Sequence, residues 1–119
     1  MKDDKLYLIH IWESIQRIES YSVEGKAAFL SSNIMQDAII RNFEIIGEAT
    51  KHISPELRQS HPEIQWRELA GFRDVLIHNY MGVDLVEVWN IIENELPQIK
   101  SSLMPLMVYH QLLSYLSSP

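Results

Sequence analysis

Apolar residues enter this chain in steps of three and four. Leu8, Ile11, Ile15 and Ile18 set that period and predict a first helix over roughly residues 4–21, with one face turned to a core. Asp3 and Asp4 stand at its start, where the positive end of the helix dipole favours carboxylates. Gly25 interrupts the pattern, and a short piece at about 26–30 leads to Ser31, Ser32 and Asn33, a cluster of capping residue types. A second run over roughly 33–52 carries Met35, Ala38, Ile39, Asn42, Ile46 and Ala49, and its period extends to Ile53. Asn42 is the polar member of that face.

Ser54 as cap and Pro55 at the first helical position predict a short helix through about Gln59, ended by His61 and Pro62. A third long helix begins near Trp66. After Gly82, Asp84 is placed to cap a fourth, whose stripe is Leu85, Val88, Trp89, Ile92, Leu96 and Ile99. Pro97 is expected to kink or break it. Pro105 is expected to separate a last segment carrying Leu106, Tyr109, Leu113 and Leu116, whose serine-rich end frays. No useful length alternates with period two. The pattern predicts an all-α bundle of four to five helices forming one domain over 1–119, with the segment 105–119 peripheral and Trp12, Trp66 and Trp89 in the core.

A chain of 119 residues is one domain's length, and 46% hydrophobic with 22% charged residues is ordinary for a globular fold. No apolar run nears the roughly 18 residues of a membrane span, and the N-terminus lacks a signal-peptide pattern, so a soluble cytoplasmic protein is expected. The absence of cysteine removes disulfides, thiolate metal sites and thiol nucleophiles. Ten Lys and Arg against sixteen acids give a net charge of −6, which argues against a broad basic surface for nucleic acid. A phosphate site then needs local cations, for example near Arg41, Lys51, Arg67 and Arg73. Glu44 and Glu48 stand one helical turn apart and repel unless cations intervene, with Arg41 placed to pair with Glu44. His10, His52, His61 and His110 show no metal-ligand spacing.

The segment Gly71-Phe-Arg-Asp-Val-Leu-Ile-His-Asn-Tyr-Met-Gly82 concentrates chemistry in an otherwise plain helix. Residues four apart on a helix lie about 40° from each other and residues five apart about 140°. Asp74 and His78 are therefore neighbours, and an acid one turn before an imidazole can fix its tautomer and orientation. Arg73 needs another route to the same site: an end or deformation of the helix before Gly82, or a second copy facing the first across a two-fold axis. Such a set supports metal-free RNA cleavage, His78 moving the proton of a 2′-OH or of the leaving oxygen while Arg73 steadies charge at phosphorus. DNA has no 2′-OH and escapes this route. The bland alternative pairs Arg73 with an acid and leaves His78 at a helix end as a cap.

The motif Arg73-Asp-Val-Leu-Ile-His-Asn-Tyr80 resembles the Arg, polar residue, spacer, His, any residue, Tyr signature of the HEPN superfamily, in particular the HepT-like toxins of toxin–antitoxin pairs. The resemblance extends from Arg41 through Ile99. It implies an α-helical bundle, a homodimer with the active cleft between protomers, and metal-independent endoribonuclease activity without a cofactor. By position it makes Arg73 and His78 the catalytic pair, Asp74 the supporting polar residue, and Tyr80 the tyrosine that a partner minimal nucleotidyltransferase antitoxin modifies with AMP. AMP on Tyr80 would set bulk and negative charge beside a cationic cleft and block a substrate phosphate. The alternative within the same superfamily is a non-catalytic nucleotide- or RNA-binding module accessory to a nucleotidyltransferase.

Overall fold

The computed structural model describes residues 2–78 and 84–109. Its elements are α1 (Lys2–Tyr21), α2 (Lys26–Ser31), α3 (Asn33–Lys51), α4 (Pro55–Ser60), α5 (Trp66–His78), α6 (Leu85–Asn90) and α7 (Leu96–Tyr109), with a π-helical segment, Ile91–Glu95, joining the last two. No strand occurs among the described residues, so the fold is all-α. No described helix is long and apolar enough to cross a membrane.

α3 is the central helix, lying between α1 and α5. The stripe of α1 goes where its period directs it: Leu8, Ile11, Ile15 and Ile18 are buried together with Trp12, against Ile39, Phe43, Ile46 and Ala49 of α3. Burying one such aliphatic side chain contributes about 1.5–3 kcal/mol, against about 1 kcal/mol for a good cap. The stripes therefore decide the packing and the caps set the boundaries. Ser32 accepts from the amide of Met35 at 3.1 Å, Ser54 from Leu57 at 3.2 Å, and Asp84 from Val86 and Glu87 at 3.1 and 3.2 Å, all in cap geometry. Gly25 turns the chain between α1 and α2 at φ 96°, a backbone that side chains strain to adopt.

α1 and α3 run antiparallel, tied at one end by Asp4. Asp4 was expected to sit favourably at a helix N-terminus; it is also buried, and accepts from the Ser54 amide at 2.8 Å and the Ser54 hydroxyl at 2.6 Å. A helix-dipole contact is thus joined by a bond across fifty positions of sequence. At the opposite end Tyr21 of α1 and Met35 of α3 line one apolar hollow.

The two proline expectations need correction. Helical structure runs on through Pro97, but α geometry does not: the preceding turn has widened, and the amide of Leu96 bonds back five residues to the carbonyl of Ile91. A π turn relieves the clash a proline ring has with the carbonyl four residues earlier. Pro105 likewise lies inside α7 rather than separating a last segment. Both Pro105 and Ser101 are exposed, so the carbonyl that loses its amide partner faces solvent, while Leu106 and Met107 beside it are buried. Leu113 and Leu116 lie outside the described residues. α7 is held to α1 by Lys100, which pairs with Glu19 at 2.9 Å and sits 5.6 Å above the Trp12 ring.

Candidate functional site

Everything that positions the motif acts on the first turns of α5. The Trp66 indole donates to the carbonyl of His61 at 2.9 Å, fixing where the helix begins. The Arg58 side chain turns back to donate to the carbonyl of Ile53 through Nε and Nη2, at 3.1 and 2.8 Å, and so closes the link from α3 through α4. Trp66, Leu69 and Phe72, three apart, are buried. Phe72 meets Phe43 of α3 edge to face, with ring centroids 5.1 Å apart and planes at 74°. The residue after Phe72 is Arg73, so the aromatic pair seats the start of the motif on the central helix.

α5 continues as α-helix to His78. Arg73, Asp74 and His78 thus all stand on helical backbone, with Asp74 and His78 one turn apart and Arg73 about 140° round from His78. The juxtaposition expected of Asp74 and His78 is preserved in the backbone, and so is the need for a second route to bring in Arg73. Tyr80 lies outside the described residues.

Two hollows flank this helix and its neighbour. One, of about 610 Å³, is formed by Arg58, Trp66, Arg67, Ala70 and Gly71 at the start of α5. The other, of about 420 Å³, lies between α1 and α3 and is lined by Tyr7, His10, Arg41, Glu44, Glu48 and His52 over a floor of Ile45 and Ala49. Of the cations expected to cluster, Arg67 and Arg41 line separate hollows.

The acid pair of α3 behaves as local charge pairing. Arg41 approaches Glu44 at 3.7 Å, the expected i,i+3 pair, and His52 approaches Glu48 at 3.5 Å, both on exposed side chains. Such pairs contribute about 0–1 kcal/mol and open easily. Sequence reasoning missed the gathering of Tyr7, His10 and His52: Tyr7 stacks on His52 at 4.9 Å and 15°, and meets His10 edge-on at 6.2 Å. The signal was long-range. Only the antiparallel register of α1 and α3, fixed by Asp4 and Ser54, brings position 7 to position 52. Among the described residues, no three His, Asp or Glu side chains stand together so as to hold a metal ion.

Comparison with known proteins adds the chemistry. Residues 11–106 match the family model described as ribonuclease HepT-like. A protein of Thermococcus cleftensis named "Probable ribonuclease HepT" is 43% identical over 100 residues, covering 83% of this chain and 91% of its own. A protein of Caldanaerobacter subterraneus subsp. tengcongensis, provisionally named an RNase, is 35% identical over 111 residues, covering 90% of this chain and 96% of its own. A protein of Methanocaldococcus jannaschii, named a gamma-glutamylcyclotransferase and, provisionally, an RNase, is 43% identical over 107 residues, 89% of this chain, but the chain spans only 48% of that longer relative. No solved structure matches significantly.

Proposed function

The chain belongs to the HepT-like ribonuclease family, and from that membership we propose that it is a metal-independent endoribonuclease acting as the toxin of a toxin–antitoxin pair. What supports the reading is one coincidence: the Arg, Asp, His set falls inside the matched span, on a helix that the core seats against α3. Residues 1–119 act as one domain.

In this reading the 2′-oxygen of a ribose attacks the adjacent phosphorus and the bond to the 5′-oxygen breaks, leaving a 2′,3′-cyclic phosphate and a 5′-hydroxyl. His78 takes the 2′-OH proton or supplies one to the leaving oxygen, and Asp74, one turn earlier, orients the ring. Arg73 stabilises the added charge on the phosphoryl oxygens. Because positions 73 and 78 lie on different sides of α5, the site is completed by a homodimer in which Arg73 of one protomer and His78 of its partner face one cleft. A minimal nucleotidyltransferase antitoxin silences it by transferring AMP to the Tyr80 hydroxyl, whose phosphate then repels the substrate.

The test is incubation of protein shown by mass to carry no AMP, and of His78→Ala and Arg73→Ala, with end-labelled RNA in EDTA. Cleavage by the unaltered chain alone, leaving cyclic phosphate and sparing DNA, is expected, with growth arrest on expression that both substitutions relieve. An intact RNA after incubation with unmodified dimer would leave a binding module accessory to a nucleotidyltransferase in its place.

A further inference from the structure

The hollow at the start of α5 is chemically out of character with the rest of the molecule. The chain carries a net charge of −6, yet among the described residues the ionisable side chains lining this hollow are the guanidiniums of Arg58 and Arg67. Elsewhere exposed arginines are matched: Arg17 approaches Glu13 at 3.8 Å and Arg41 approaches Glu44 at 3.7 Å. Arg58 donates only to carbonyls among the described residues, and exposed Arg67 makes no ion pair there. Two guanidiniums on one hollow raise its positive potential, which an anion entering it would neutralise.

A second observation points the same way. Gly71 occupies an interior turn of α5, where glycine is worse than alanine, and the fold gives no reason for it. Its φ is not in the left-handed region, and a methyl group in place of its hydrogen would meet nothing within 4 Å outside its own helix. The space above Gly71 and Ala70 is open to solvent, not filled by the core. Positions 67, 71, 74 and 78 recur in steps of four, three and four, so they fall within about 60° of each other round the helix. The hollow thus lies on the face of α5 to which helix positions 74 and 78 also belong.

We propose that this hollow is a subsite for the phosphodiester backbone of single-stranded RNA, with Arg67 as its principal phosphate ligand and the bare backbone at Ala70 and Gly71 admitting the strand. The inference rests on the ribonuclease reading and adds where the strand lies. At about 1.5 Å rise per residue, Arg67 stands about 16 Å along the axis from His78. The phosphate it meets is thus a flanking one, not the one cut. Arg67 is a binding residue, and its loss acts on affinity before it acts on the chemical step.

The test is fluorescence anisotropy with a labelled single-stranded 2′-O-methyl RNA, which cannot cyclise and so reports binding without cleavage. Arg67→Ala is expected to raise Kd about three- to tenfold and to lower the slope of log affinity against log salt by about 0.7, one phosphate contact on a single strand. On cleavable RNA the same variant should raise KM and leave kcat unchanged. Gly71→Leu is expected to raise Kd as well while leaving the melting temperature equal or higher, since leucine is the better helix former, so its effect cannot be misfolding. Unchanged affinity and salt slope in Arg67→Ala, with the wild type binding and cutting RNA, would overturn this inference alone. If Gly71→Leu changed the sedimentation coefficient without changing Kd, the surface would belong to a protein contact and the inference would also fall. A wild type that neither binds nor cuts RNA would remove the ribonuclease reading and this subsite with it.

Discussion

Exchanging Phe72 for leucine tests whether the aromatic contact under the motif holds α5 in place. Phe72 is 4% exposed and meets the Phe43 ring edge-on with centroids 5.1 Å apart. An edge-to-face pair is worth about 0.5–1.5 kcal/mol beyond the area it buries. Replacing a buried ring by a residue of similar volume adds a repacking cost of up to about 1.5 kcal/mol. Each of Phe72→Leu and Phe43→Leu should therefore lose about 1–2.5 kcal/mol in urea denaturation followed by circular dichroism, with an unchanged dependence on urea. The double variant should lose less than the sum of the two by about 0.5–1.5 kcal/mol, because the pair contribution is removed only once. Additivity to within about 0.3 kcal/mol would mean that the rings merely fill space and that α5 is held by Leu69 and Trp66 instead. Arg73 directly follows Phe72, so Phe72→Leu should also slow RNA cleavage while the protein is still folded; a displacement of about 1 Å at a reacting group can cost about a hundredfold.

The other expectations are simpler. Asp4→Ala strips the half-buried Ser54 amide and hydroxyl of their acceptor and should cost about 1–3 kcal/mol in the same denaturation assay, with Asp4→Asn intermediate. Gly25→Ala forces a side chain into a backbone at φ 96° and should lower stability by about 1–3 kcal/mol in thermal melts. Tyr80→Phe should keep RNA cleavage but escape inhibition by the partner nucleotidyltransferase with ATP; continued inhibition would place the modification elsewhere.

Much of this fold was legible because helical stripes are local. Leu8 through Ile18 and Val88 through Ile99 are spaced by three and four, and burial follows the spacing without reference to the rest of the chain. Ser32, Ser54 and Asp84 were readable for the same reason, each cap reaching only two or three residues ahead. What escaped is what depends on two distant positions at once. Asp4 looked like a dipole acid because its partner lies fifty residues on. His52 showed no metal-ligand spacing, and its partner Tyr7 is found only when α1 and α3 are laid side by side. Pro97 was misjudged differently: the rule that proline breaks a helix assumes the preceding turn keeps α geometry, and here it does not. The motif on α5 was visible as spacing, but that Arg67 and Gly71 share its face only became meaningful once the helix was known to be unbroken from Trp66 to His78.

The π turn between α6 and α7 works as a vernier on the length of the chain. It absorbs one surplus residue, and by doing so it sets the angular phase at which everything after Glu95 meets the core. Deleting one residue from this stretch would close the turn to α geometry and, because the surplus residue is the one removed, would leave the downstream half near its present angular phase. Val88 and the trio of Leu96, Ile99 and Leu103 would then keep facing the core, and the cost would fall on Pro97, whose ring would again meet the carbonyl four residues earlier. The extra residue in this stretch is thus length that the packing phase does not need and that Pro97 does.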